Sequence, residues 1–213
     1  TPTLTDTLEP TQTLTPTLES PAILDEYLAN PFVVKEIGIG YTSSWMWEYE
    51  HGKFSGGKII LEALPNWDPY FITNETFPTN HAILVRFSRK SGANFNMGIQ
   101  TGEFDTTNFR GWSIHGGDIT TMSNREGANW LGYQPLIGNL TLTVNDWYTV
   151  LLAVKDDGDF LAVVWDSADP TRAIQYHQSF DSSWIGKDWQ FRVGSKAGEV
   201  WVDSVMLISF DGY

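Results

Sequence analysis

Three observations predict an all-β, antiparallel sandwich. From residue 32 onward, short apolar runs recur between clusters of Gly, Asn, Asp and Pro, the punctuation of closely spaced strands. Helical spacing is confined to AILDEYLAN at 22–30, and Asn30-Pro31 ends it because a residue before proline avoids the helical region. The chain of 213 residues has no cysteine, yet is long enough to bury a core without covalent cross-links.

The expected strands, in order, are Phe32–Ile39, Lys58–Leu64, Ala82–Ser88, Asn94–Gln100, Gly111–His115, Tyr148–Lys155, Phe160–Trp165, Trp189–Gly194 and Val200–Ile208. In the third, Ile83, Val85 and Phe87 share one face and Arg86 and Ser88 the other, the alternation of a strand with one buried face. Tyr148 to Trp165 reads as a hairpin, since two apolar runs flank Lys155-Asp156-Asp157-Gly158-Asp159 and Asp-Gly supplies the positive φ of a tight turn. That turn accounts for Asp156, Asp157 and Asp159 without a metal. Between Gly116 and Leu142, Gly, Asn and Pro crowd together, which predicts a long loop presenting Trp130 and Tyr133, with Trp112 in the strand before it.

Residues 1–22 form a separate segment ahead of a domain at 23–213. TPTLTDTLEP and TQTLTPTLES repeat one pattern, with Leu4, Leu8, Leu14 and Leu18 on even positions and threonine on all odd ones except Glu9 and Glu19. Extended, this places leucine on one face and threonine on the other. A Thr/Pro-rich spacer, suited to O-glycosylation, has this composition. So does an assembly strand inserted into a neighbouring subunit, although Pro2, Pro10, Pro16 and Pro21 each lack a ladder donor and confine it to edges or ends.

A formal charge of −13, from 26 acidic and 13 basic residues, and no Lys or Arg before Lys35 argue against nucleic acid and anionic membranes as partners. No apolar run reaches the length of a membrane-spanning helix. Ten tryptophans in an aromatic content of 14% suit either a ring-filled sandwich core or a sugar-stacking face. For the latter, Trp112, Trp130 and Tyr133 with Arg125 and Asn129 form one candidate carbohydrate-binding set, and Trp67 and Tyr70 a second.

The series from Trp45 through Glu48-Tyr49-Glu50 to Ile59-Ile60-Leu61, Asp146-Trp147-Tyr148 through Asp166, and Glu199-Val200-Trp201-Val202-Asp203-Ser204-Val205 resemble the concanavalin A-like jelly rolls in their laminin-G-like bacterial form. The likeness spans roughly residues 32 to 210 and implies a jelly-roll β-sandwich of the kind found in sugar-binding modules, glycoside hydrolases and adhesion domains. It also implies a structural Ca2+ at the closing-strand aspartate, Asp203. The Glu-x-Asp-x-Glu strand of the family's β-glucan hydrolases is missing. Glu48-Tyr49-Glu50 lacks the central Asp, and Glu199 to Asp203 is one carboxylate short.

Glu48 and Glu50, two apart on a strand, share a face about 7 Å apart, a separation open to acid/base chemistry but equally that of two solvated glutamates. His51, His81, His115 and His177 share no ligand-like interval, and no Gly-x-Ser-x-Gly occurs. The expectation is a non-catalytic extracellular or cell-surface module that binds a polysaccharide or surface glycan. The alternatives are a structural subunit that self-associates into filaments through its N-terminal strand and, third, a glycoside hydrolase-like enzyme.

Overall fold

The computed structural model describes residues 33–36, 47–50, 52–63, 69–101, 109–115, 118–126, 129–133 and 136–209. The N-terminal repeat with Leu4, Leu8, Leu14 and Leu18, the segment boundary at 22/23, the helical stretch at 22–30, His51 and Trp67 lie outside the described residues. Those described are all-β: β1 (Val33–Glu36), β2 (Trp47–Glu50), β3 (Lys53–Ser55), β4 (Lys58–Glu62), β5 (Tyr70–Thr73), β6 (His81–Gln100), β7 (Phe109–His115), β8 (Asp118–Glu126), β9 (Asn129–Tyr133), β10 (Ile137–Gly138), β11 (Trp147–Val154), β12 (Phe160–Asp166), β13 (Asp169–Gln178) and β14 (Gln190–Ser209).

All pairings are antiparallel, and the two 20-residue strands organise them. The first half of β6 pairs with β11 and the last third with β7, while β14 follows β6 along its whole length. One layer therefore runs β10-β13-β12-β11-β6-β14, with β1 and then β4-β3 beyond β14. The other runs β2-β5-β14-β6-β7-β8-β9. Both long strands turn the corner between layers together, at Gly92 (φ 56°) and Gly198 (φ 86°). A Cβ on Gly92 would lie 2.5 Å from the Gly198 Cα, so no larger residue fits this corner without backbone movement. Register shifts between Ser195 and Val200 supply the extra bend.

The main core lies between the layers. Ile83, Val85, Phe87, Tyr148 and Val150 of the first layer meet Phe95, Met97, Trp112, Phe191 and Val193 of the second. Phe87 bridges them, its ring 5.9 Å from both Phe95 and Tyr148. Four tryptophans, Trp112, Trp165, Trp184 and Trp189, are fully buried, so much of the tryptophan content fills the interior. A second apolar cluster, Ala82, Leu151, Ala153, Leu161, Val163, Trp165 and Ile208, occupies the opposite face of the first layer. Burial on both faces explains why β12 reads as an unbroken apolar run.

Among the described residues, Arg110 and Asp181 form an ion pair buried in the interior. Arg110, on an inward position of β7, donates from Nε at 3.0 Å and Nη2 at 2.7 Å to Asp181 Oδ2, and Ser183 supplies its backbone N–H to Oδ1 at 3.0 Å. Tyr176 lies nearby, and burial, opposed by Arg110 and aided by Asp181, raises its phenol above the usual 10.0.

The Tyr148–Trp165 hairpin forms as expected. Gly158 takes φ 85° and Lys155 N donates to Asp159 O at 2.9 Å. Asp156 accepts from Asn80 Nδ2 at 2.6 Å and Asp159 pairs with His177 Nε2 at 2.9 Å, so these aspartates serve the turn and its neighbours. Two expectations are corrected. Ala82–Ser88 and Asn94–Gln100 are one strand, as are Trp189–Gly194 and Val200–Ile208, because glycine and bulges bend these ladders without ending them. The stretch Gly116–Leu142 is not one long loop but carries β8, β9 and β10, with Asn124, Asn129, Gly132 and Gly138 inside those strands rather than between them.

Candidate functional site

Alternation along the second layer separates residues that fill the core from those on its outer face. Because Phe95, Met97, Ile99, Trp112, Phe191 and Val193 belong to the core, the outward positions of the three central strands follow directly. They are Asn96, Gly98 and Gln100 on β6; Phe109, Gly111 and Ser113 on β7; and Gln190, Arg192 and Gly194 on β14. Tyr70 and Ile72 extend the face onto β5.

Three registered rows cross this face. One runs Glu50, Tyr70, Gly194, Asn96, Ser113, Thr121. The next runs Glu48, Ile72, Arg192, Gly98, Gly111, Ser123, Gly132. The third runs Gln190, Gln100, Phe109, Arg125, Trp130.

Glycine clears the middle of the face. A Cβ on either Gly98 or Gly111 would stand 2.6 Å from Phe109 Cζ, and the two Cα atoms crowd each other's Cβ positions equally closely. The Phe109 ring therefore lies across both glycines; it is fully buried yet belongs to neither core cluster, so it backs this face without offering a ring to a ligand. Gly194 makes room in the same way, since a Cβ there would meet Asn96 Oδ1 at 3.3 Å and Arg192 Nη1 at 3.4 Å. On one flank the Arg192 guanidinium stacks over the Tyr70 ring at 4.8 Å, fixing an aromatic edge beside a cation. Asn96 is buried to 9% exposure, and its Oδ1 has no hydrogen-bond partner. An unsatisfied amide acceptor on the same face as an aromatic ring, an arginine and the Ser113 hydroxyl is the lining expected of a polar, ring-shaped ligand site.

The sequence-derived candidates divide across this layer. Trp112 is corrected: its ring is 0% exposed in the core, opposite Met97 and Met122, and cannot serve as a stacking platform. Tyr133 pairs in register with Met122. Trp130 pairs with Arg125, which pairs in turn with Phe109, and Asn129 pairs with Glu126. Tyr70 is on the face, partly exposed, and Glu48 and Glu50 occupy β2 at its edge. Sequence reasoning passed over Arg192, Asn96, Phe109 and the glycine floor. Glycines inside strand patterns at Gly98 and Gly111 were the available signal, since they mark close backbone or ring approach.

Asp203 lies on the outer face of the first layer. Its Oδ2 accepts from Arg86 Nη1 at 3.1 Å, and burial pushes the carboxyl above its usual 3.8 despite the lowering pull of Arg86, Lys58 and Lys90. A calcium ion needs six or more oxygen ligands, and among the described residues no group of three or more Asp, Glu or His could hold an ion. A single carboxylate facing three cations does not fit Ca2+. His81 is used by Thr79 O at 3.0 Å and His177 by Asp159, ordinary turn hydrogen bonds.

No protein-family model matches the chain, and no curated protein matches its sequence. Solved structures share the fold. One, from work on endo-acting O-glycanases that members of the human gut microbiota express to initiate mucin breakdown, superposes with TM-score 0.62 at 9% identity, covering 84% of this chain and 99% of that one. The exoplasmic/lumenal domain of VIP36, in its Ca2+/Man3GlcNAc-bound form, gives 0.59 at 10% identity over 85% and 91% of the two chains. The apo Crh5 transglycosylase gives 0.56 at 13% identity over 85% of each. The architecture is the antiparallel, concanavalin A-like jelly roll.

Proposed function

We propose that this domain is a non-catalytic, extracellular carbohydrate-binding module whose ligand lies across the outer face of the β2-β5-β14-β6-β7-β8-β9 layer. One observation carries the reading. The outward positions of β14, β6 and β7 are occupied by amides, glycines, a serine, a phenylalanine and an arginine, with no carboxylate among them. Glycoside hydrolysis needs two carboxyl groups about 5–9.5 Å apart astride the scissile bond. The Asn96 amide, with the partly exposed Tyr70 ring and the Arg192 guanidinium stacked on it, instead suits a sugar ring that is held and released unchanged. The jelly-roll neighbours include a glycan-bound lumenal domain, which supports the ligand class.

Affinity electrophoresis through gels containing single soluble polysaccharides tests this. At least one neutral polymer retards the wild-type protein, and Tyr70→Ala and Asn96→Ala abolish the retardation. Normal retention of both variants would overturn the assignment.

A hydrolase is the second reading, favoured by the placement of Glu48 and Glu50 in register with Ile72 and Tyr70 at the edge of this same face. It requires release of reducing ends from the retained polymer, lost in Glu48→Gln or Glu50→Gln. Binding without release supports the module.

A further inference from the structure

The outer face of the first layer carries an arrangement that the proposed glycan face does not use. Trp147 of β11 and Trp201 of β14 both stand opposite Ser88 of β6, one on each side, so their Cα atoms are about 10 Å apart across two strand spacings. Lys90 Nζ sits between the two rings, 5.0 Å from the Trp147 centroid and 4.5 Å from that of Trp201. Arg86 lies over Trp147 at 4.4 Å and Lys58 over Trp201 at 5.8 Å. The result is an alternating series, Lys58, Trp201, Lys90, Trp147, Arg86, in which each ring lies between two cations.

Charge accounting makes this face unusual. The whole chain carries −13, so clustered cations are scarce. On this face Lys53 is paired with Glu62 and Arg86 with Asp203, while Trp201 Nε1 donates to Glu199. Lys58 and Lys90 take part in no ion pair among the described residues. Two further polar atoms are buried here without a hydrogen-bond partner, Ser88 Oγ between the tryptophans and Asp203 Oδ1 beside Arg86. Beyond Arg86 the surface opens into a groove of about 340 Å³, lined by Trp147, Asn145, Asp146, Ser167 and Asp166, the last paired with Arg172; its acceptors suit the neutral hydroxyls of a chain rather than its acid groups.

We propose that this face is a second binding surface, separate from the one on the other layer, and that it takes an acidic saccharide: a carboxylate or sulfate ester met by Lys58 and Lys90, with the adjoining sugar packed against the outward edge of Trp147 or Trp201. Two unpaired cations match the sparse charge of such a chain. A nucleic acid presents a phosphate at every linkage and needs many more cations than an acidic protein offers here. Tryptophans on alternate strands space two sugar contacts along an extended polymer.

The test is isothermal titration of the intact protein with polygalacturonate for the carboxylate, chondroitin sulfate for the sulfate ester, dextran as the neutral control, and a single-stranded DNA oligonucleotide. The expected result is binding to one or both acidic polymers that weakens with added salt, while any heat from dextran is insensitive to salt and lost in Tyr70→Ala. Lys90→Gln weakens it at least tenfold, while Lys187→Gln, exposed and off this face, leaves it unchanged. The two polymers distinguish carboxylate from sulfate recognition. No binding to either, equal loss in both lysine variants, or tighter binding to the oligonucleotide would each overturn the proposal. Tyr70→Ala separates this surface from the other: it abolishes retention on a neutral polymer and leaves acidic-polymer binding intact.

Discussion

Replacing Arg110 by methionine tests how the sandwich interior is held. The side chains of Arg110 and Asp181 are only 3% and 6% exposed, and Asp181 Oδ2 accepts two of the arginine's N–H groups, at 3.0 and 2.7 Å. Methionine retains the aliphatic stem but removes both donors and the counter-charge, leaving the Asp181 carboxylate with Ser183 as its hydrogen-bond partner among the described residues. Breaking a buried pair from one side costs about 3–5 kcal/mol, because the remaining charge is desolvated without compensation. For a domain of this size that lowers Tm by about 6–20 °C. Urea unfolding followed by tryptophan fluorescence measures it, since Trp184 lies against the guanidinium at 5.8 Å. The m-value stays unchanged, as expected when native stability alone is altered. The double variant Arg110→Met/Asp181→Leu recovers much of the loss, because no charge is then stranded. A single-variant loss below about 1 kcal/mol, or strict additivity in the double variant, would refute the reasoning.

Other outcomes follow from the same geometry. Gly98→Ala places a Cβ 2.2 Å from Arg110 O and 2.6 Å from Phe109 Cζ, so it destabilises the domain by about 1–3 kcal/mol in thermal melts and disturbs glycan binding together with stability. Gly158→Ala strains a position at φ 85° with its Cβ 3.0 Å from Asp181 O, costing about 1–3 kcal/mol by the same assay. Burial raises the Asp203 carboxyl above 3.8, so the folded state binds its proton more tightly than the unfolded state. Its contribution is therefore complete below pH 3.8 and lost as pH rises through the raised value. Stability of wild type relative to Asp203→Asn falls across that range in urea titrations at stepped pH; a flat or rising difference contradicts the assignment.

Much of the fold was legible because the apolar runs are strong and the punctuation local. The Asp157-Gly158 hairpin and the inward Ile83, Val85, Phe87 set are read directly from alternation. The continuity of β6 and β14 was not legible, because Gly92 and Gly198 signal a turn in sequence and only their mutual approach makes them a shared bend. β13 was missed because it opens with Asp169-Pro170 and keeps Thr171 and Arg172 exposed, short of the two residues at which β10 pairs with it, so little apolar alternation marks it. Part of the candidate site was legible through Tyr70 and, by register, Trp130. Asn96, Arg192 and Phe109 were not, because their convergence depends on three strands distant in sequence aligning through β14. Trp112 misled for the opposite reason: a tryptophan near a glycine-rich stretch looks presented, and only strand parity turns it inward.

The central claim is that a neutral glycan occupies the outer face of the second layer. Amide chemical-shift mapping of the isotopically labelled protein, titrated with an oligosaccharide cut from a polymer that retards it, tests this directly. The largest shifts are expected on Tyr70, Asn96, Gly98, Gly111, Arg192 and Gly194. Shifts concentrated instead on Trp147, Lys90 and Trp201, or spread without a focus, would contradict it.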